Sequence, residues 1–297
     1  MPLLSRIKMA TIGVPDLNAV ERWYTKWLGY SVLDRAIIGE SLAQSWGTLN
    51  TAGRPVITLQ SAAKDDVYLR AVEIDPVPNY KAMTTWGWNA IEIIADDVDG
   101  LFEYLKDSDF IHVSGPENLM GGTSSIRAVQ YKGPGEEVIY LTCETGDRDT
   151  STLPKPRGVV DRPFVMVLAG PNIAELEKFY GDTFSLAGMP HIDYVLDLVS
   201  EAQGRPIDTS YRLGLLRLKE KGNNIELDQY PTGTNARPCA EGQLPPGVGM
   251  ASFSVDNLDS LDVNFIAEPI ALYCGKRAAT FVGPAGELTE LIEDPRV

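Results

Sequence analysis

The side chains that could do chemistry here are a narrow selection. Imidazole is scarce, with only His112 and His191 in 297 residues. Cys143, Cys239 and Cys274 are scattered without a C-x-x-C spacing and read as reduced thiols, not as a disulfide framework or thiolate site. A tyrosine such as Tyr140 can donate a hydrogen bond to a developing oxyanion or act as an acid, and an arginine such as Arg70 offers a guanidinium fork for a carboxylate or enolate. Arg127 in "SIRAVQY" and Arg277 in "GKRAATF" suit either a ligand-facing position or a strand-pairing one. His112 in "DFIHVSGP" reads as a catalyst or an ordinary strand-edge residue, and His191 carries the same alternatives. Trp46, Tyr80, Trp86 and Trp88 gather in "AQSWGTL" and "NYKAMTTWGW". They could wall a site for an aromatic ligand or simply pack a core. No phosphate-cradling glycine loop or nucleophile elbow is present, which disfavours nucleotide binding and acyl-enzyme chemistry.

The elements that must position these residues come as a repeat. "MATIGVPDL" at 9–17 lies on "VMVLAGPNI" at 165–173, and the register holds without a gap through Trp23-Tyr24 on Phe179-Tyr180. Each copy reads as a buried strand, an Asp16 or Asn172 N-cap, a helix, and a glycine stop at Gly29 or Gly188. "IEIIADDVDGL" at 91–101 resembles "ASFSVDNLDSL" at 251–261, a strand, a cap and a helix start. "IRAVQYKGPGEEVIYL" at 126–141 matches "KRAATFVGPAGELTEL" at 276–291, a strand, a Gly-Pro turn and a strand. The chain thus reads as four strand–helix–strands units, with the polar, proline-rich "GDRDTSTLPKPRGVVDRP" between its halves.

The motifs "VPDLNAVERWYTKWLGY" and "ADDVDGLFEYL" and the repeated R…GP.GE…L hairpins resemble the vicinal oxygen chelate superfamily, the group of glyoxalase I, extradiol dioxygenases and bleomycin-resistance proteins. The resemblance implies an α+β fold of tandem paired βαβββ modules forming two open, cup-shaped, eight-stranded sheets. It places one glyoxalase-like domain at 1–147, a linker at 148–159 and a second domain at 160–297, each half closing its own cup. Such folds commonly hold a divalent metal between the first and last strands of paired units. Carried onto this chain, those positions fall on Met9, Arg70, Ala90 and Tyr140 in the first half, which is no ligand set for a cation. In the second half they fall on Val165, Glu226, Met250 and Glu290, leaving two carboxylates that either ligate a metal or are ordinary polar strand positions. The expected cofactor is none, with one divalent metal in the second half as the alternative.

These readings converge on a small-molecule enzyme, a lyase, isomerase or ring-cleavage relative acting on an aromatic or oxygenated catabolite. A non-catalytic small-molecule binder is the alternative. Arg70, Tyr140 and His112 are the expected catalytic residues, with Arg70 and Tyr140 facing each other across the first-half cup. Trp46, Trp86, Trp88 and Arg127 are expected against the substrate, and Glu226 and Glu290 at any metal. A net charge of −15 argues against nucleic acid, whose binding rests on Lys and Arg. Without a signal-like or membrane-length apolar run, a soluble cytoplasmic monomer or homodimer is expected.

Overall fold

The computed structural model describes residues 1–119 and 124–295. The first module runs β1 (Leu4–Val14), α1 (Leu17–Trp27), β2 (Ser31–Ile37), α2 (Glu40–Trp46), β3 (Pro55–Gln60) and β4 (Tyr68–Glu73). The second runs β5 (Gly87–Ala95), α3 (Val98–Leu105), β6 (Ile111–Asn118), β7 (Ile126–Lys132) and β8 (Val138–Glu144). In the third, β9 (Val160–Gly170) and α4 (Ile173–Phe184) lead into two short strands, β10 (Ala187–Gly188) and β11 (Ile192–Val195). It continues through α5 (Asp197–Gln203), β12 (Ser210–Arg217) and β13 (Asn224–Gln229). The fourth contains β14 (Gly247–Val255), β15 (Ile270–Tyr273), β16 (Lys276–Val282) and β17 (Leu288–Glu293).

Caps define the helices as the sequence suggests. The Asp16 carboxylate accepts from the Ala19 amide, and the Asn172 side chain accepts from Ala174 and Glu175. Two local expectations fail. Gly188 does not end α4; Ser185 takes the left-handed position at φ 55° and Gly188 enters β10. The fourth module has only a short 3-10 turn, Leu258–Ser260, in place of a helix. The following "LDVNFIAEP" is rich in poor helix formers, and its Leu261, Val263 and Phe265 pack on the core without forming a helix or strand.

The pairing of modules corrects the half-by-half expectation. One sheet has the order β15-β16-β17-β14-β1-β4-β3-β2, so module one pairs with module four. The other has the order β10-β12-β13-β9-β5-β8-β7-β6, with β11 also on β12, so modules two and three pair. The seams are antiparallel: β1 runs against β14 and β5 against β9. We call these sheets the outer and inner cups, after their place along the chain. Apolar strands β1, β5, β9 and β14, buried along almost their whole length, sit at the seams, while shorter and more exposed strands take the edges.

Strand alternation sorts side chains between the common core and the cups. Ile91, Ile93, Ile139, Leu141, Ile225 and Leu227 join the core shared by all modules. Ala90, Val138 and Tyr140 belong to a second cluster inside the inner cup. The helices' aromatic–Tyr pairs tie the cups together. Tyr24 Oη on α1 donates to Glu137 at 2.9 Å, and Tyr180 Oη on α4 donates to Glu287 at 2.8 Å. Each glutamate follows a Gly-Pro turn and also accepts a backbone amide, from Gly135 at 2.7 Å or Ala285 at 2.8 Å. Each clamp therefore joins a helix of one cup to a hairpin of the other. Tyr24→Phe and Tyr180→Phe should each cost about 1–3 kcal/mol, because a buried carboxyl loses its donor. Urea denaturation checks this, and losses below roughly 0.5 kcal/mol would count against the clamps.

Candidate functional site

The outer cup is filled by its own side chains. Arg70 on β4 donates from Nε to Thr11 Oγ1 at 3.0 Å, from Nη1 to Tyr273 Oη at 2.5 Å and from Nη2 to Glu290 at 3.2 Å. Glu290 on β17 also accepts from Trp46 Nε1 at 2.9 Å, Ser252 Oγ at 2.6 Å and Tyr273 Oη at 2.6 Å. The Trp46 indole, carried in by α2, lies over the guanidinium with 4.4 Å between its centroid and Arg70 Cζ. Trp46 and Glu290 are wholly buried and Arg70 nearly so. The two charged groups named here, Arg70 and Glu290, are engaged by each other and by neutral partners.

The inner cup is open. A cavity of about 580 Å³ lies against β5, β8, β9 and β13 and is lined mostly by apolar side chains, among them Leu119, Phe164, Tyr194, Leu196, Leu198 and Leu213. Its polar patch comprises Glu92, Gln130, Tyr140, Thr142 and Glu226. Glu92 is aligned with Tyr140 across the β5–β8 ladder, and Tyr140 with Gln130 across β8–β7. Thr142 Oγ1 donates to Glu92 at 3.2 Å. Two residues along β13 from Glu226, Asp228 shares a hydrogen bond with it.

The two cups differ at equivalent positions of the repeat. Thr11, Arg70, Ser252 and Glu290 of the outer cup correspond to Val167, Glu226, Glu92 and Tyr140 of the inner one. Where one cup holds an ion pair, the other holds two carboxyls and a phenol. The helices above differ too. Both α2 and α5 end at a left-handed glycine, Gly47 or Gly204, but Trp46 before the first becomes Gln203 before the second. Gln203 donates to the Met83 carbonyl at 2.9 Å. No indole fills the inner cup from α5.

Electrostatics follow from burial. Burial first, then the Glu226 charge, pushes Glu92 up to about 8, against the Thr142 hydrogen bond. Burial pushes Glu226 up to about 7 despite its bond with Asp228. Asp228 is raised by burial and by Glu226. Burial, with Glu226, Asp228 and Glu92 around it, keeps Tyr140 a phenol. At the clamps, burial likewise lifts Glu137 and Glu287 to about 7. All these carboxyls hold their protons more tightly folded than unfolded. Their contribution to stability is complete below the unfolded value near 4.5 and is lost as pH rises through 7 to 8. Stability should therefore fall between pH 5 and pH 8, by up to about 1.4 kcal/mol per pH unit for each group titrating. Urea midpoints across that range test it, and a flat or rising profile would refute it.

The structure separates most of the residues expected to act together. Arg70 and Tyr140 lie in different cups and do not face each other. Glu226 and Glu290 are likewise apart, so they cannot share a metal. Trp46 plugs the outer cup instead of walling a site. A register shift between Trp88 and Ala90 turns the Trp88 indole into the core, where it packs on Tyr180 and Phe253 and donates to the Leu288 carbonyl at 2.9 Å. Trp86 donates to Thr234 Oγ1 at 2.8 Å outside the cavity lining. Arg127 forms a two-pronged pair with Asp99 at 2.9 and 2.8 Å, as Arg277 does with Asp259, so this repeated arginine ties its strand to the first turn of the preceding helix or 3-10 turn. His112 is exposed on edge strand β6 against the Gly115 carbonyl, and His191 pairs with Glu177 at 2.8 Å. Of the expected residues, Tyr140 and Glu226 reach the cavity together. Glu92 and Gln130 were missed. The signal for Glu92 was a lone carboxyl in the apolar strand "NAIEIIA", two positions beyond the residue assigned to the site.

The donor set does not fit a metal centre of the superfamily kind. The inner cup offers carboxyls and a phenol without imidazole or thiolate, and its first-strand positions Val165 and Val167 are apolar. Among the described residues no three His, Cys, Asp or Glu side chains form a group able to hold a metal ion. No helix among them is long and apolar enough to cross a membrane.

No family model matches the sequence, and no curated protein matches it. Solved structures do. Glyoxalase I from Zea mays superposes with a TM-score of 0.64 at 16% identity, covering 97% of this chain and 92% of that one. A putative dioxygenase from Bacillus subtilis superposes with a TM-score of 0.65 at 12% identity, covering 99% of this chain and 87% of that one. Four βαβββ-type modules closed into two curled sheets, matched over almost their full length, give this chain a glyoxalase-like tandem fold.

Proposed function

We propose that the inner cup is an enzyme site for proton transfer, of lyase or isomerase type, on a small aromatic or otherwise apolar oxygenated compound. The observation that carries this reading is the placement of Glu92 and Glu226, both holding protons near neutral pH, on the polar patch of an apolar cavity. General acid–base catalysis works best with groups poised near the working pH. One carboxyl of the pair takes a proton from carbon while its protonated neighbour returns one elsewhere. Tyr140, held as a phenol, donates to the oxygen on which charge develops. Oxygen-dependent ring cleavage is the least supported branch, since activating dioxygen calls for a redox metal that this donor set does not suit.

Non-catalytic binding is a second reading, favoured by the apolar walls and by an outer cup that has given up any ligand space. Solvent exchange separates the two. Aromatic compounds with an acidic C–H beside a carbonyl are incubated with the protein in D₂O and followed by NMR. Deuterium entering at that carbon, and only with protein present, is the expected result. Saturable binding of these compounds without any exchange would establish the binder instead.

A further inference from the structure

Buried carboxyls elsewhere in the fold are well supplied with donors. Glu290 accepts from four side chains, one of them Arg70. Asp161 has Arg162 at 3.0 Å and the Arg157 amide at 3.0 Å, and Glu137 and Glu287 each have a tyrosine and an amide. The inner cup breaks this pattern. Glu92 has Thr142 alone, Glu226 has only the neighbouring carboxyl of Asp228, and no Lys or Arg pairs with either among the described residues. Gln130, which lines the same cavity and is 4% exposed, has an Oε1 with no hydrogen-bond partner. The Oδ1 of Asp228, 3% exposed, also lacks one. The patch is thus an excess of acceptors and latent negative charge at the end of an apolar space. Buried acceptors are costly to leave unfilled, and buried charge is tolerated when paired.

We propose that the inner cup selects an organic cation, a compound with an apolar body and a protonated amine, whose ammonium seats against Glu92, Glu226 and the Gln130 carbonyl. The inference rests on the inner cup being the ligand site and adds the charge of what enters it. An ammonium brings several donors and one positive charge, the two things the patch lacks. The apolar walls take the body, and the chain's net charge of −15 draws cations toward it. Binding of one ammonium favours one carboxylate, so one of the protons held by the pair leaves for solvent, and a free base beside a protonated neighbour appears with the ligand in place.

The charged and titratable groups facing the patch are Glu92 on β5, Tyr140 on β8, Glu226 and Asp228 on β13, and Tyr230 just beyond it, with Tyr194 of β11 also in the lining. Further along the lining stand Glu117, Asp197, Arg217 and Lys221. Amine affinity should therefore strengthen between pH 6 and pH 8, while the amine itself stays protonated. The test uses three naphthyl probes of matched size: 2-(1-naphthyl)ethylamine, 2-(1-naphthyl)ethanol and 3-(1-naphthyl)propionate. Calorimetry in two buffers of different ionisation enthalpy should show the amine binding at least tenfold more tightly than the alcohol. It should also show proton release and no binding of the carboxylate. Glu226→Gln should remove most of that preference, bringing the amine's affinity down toward the alcohol's. Equal affinity for amine and alcohol, or tighter binding of the alcohol, overturns the cation inference and leaves the ligand site standing. Failure of all three probes to bind overturns both.

Discussion

Arg70→Met should lower the stability of the protein by about 3–5 kcal/mol, the usual cost of removing one partner from a buried ion pair. Glu290 would be left wholly buried with three neutral donors and no countercharge. Trp46 would lose the guanidinium beneath its ring, and Tyr273 the donor that orients it. The double variant Arg70→Met with Glu290→Leu should recover most of the loss, because apolar groups of similar size can replace a buried pair at little cost. Urea unfolding of the two variants measures this. The fraction that stays folded should keep the inner cup's activity, since none of these residues lines its cavity. A variant with normal stability and lost turnover would restore Arg70 to the chemistry, where the ligand position it occupies in the family resemblance had suggested placing it.

Glu226→Gln and Glu92→Gln should each reduce proton exchange by about 10²–10⁴-fold, the range general acid–base groups contribute. Their effect on folding should run the other way. A glutamine keeps the shape and carries no charge to desolvate, so each variant should be at least as stable as the parent at pH 8 and gain little at pH 5. That opposite pair of results distinguishes reacting carboxyls from supporting ones, whose removal weakens the fold. Exchange rates and urea midpoints on the same preparations decide it. Retained exchange in both variants would sink the proposed mechanism, and Tyr140→Phe would then become the informative substitution.

The modular fold was legible because repetition is written in local signals: capping Asp16 and Asn172, the aromatic–Tyr pairs, the Gly-Pro hairpins. Which module pairs with which was not. Edge-to-edge docking of βαβββ units depends on long-range seams, and β1 carries nothing local that prefers β14 to β5. That one ambiguity scattered the expected site, uniting Arg70 with Tyr140 and Glu226 with Glu290 when the true partners are Arg70 with Glu290 and Tyr140 with Glu226. Glu92 was lost to a shift of two residues, which keeps a side chain on the same face and so leaves no trace in the hydrophobic pattern. The role of Arg127 became clear only when its repeat mate Arg277 was seen gripping the equivalent first-turn carboxylate.

The nested pairing also sets a timetable for synthesis. On the ribosome, β5 meets its partner β9 after a comparatively short wait, and the inner cup has all its strands once β13 has emerged. Strand β1, which precedes the other strands of both cups, must wait for β14, in the last fifth of the 297 residues. Closing such a long loop is slow, and until then an apolar seam strand stands without its neighbour. A nascent chain stalled or cut before residue 247 would expose that seam and be a ready target for chaperones or proteases. The cup that carries the open cavity is the one the cell finishes first, and the plugged cup acts as the late closure that commits the chain to its native state.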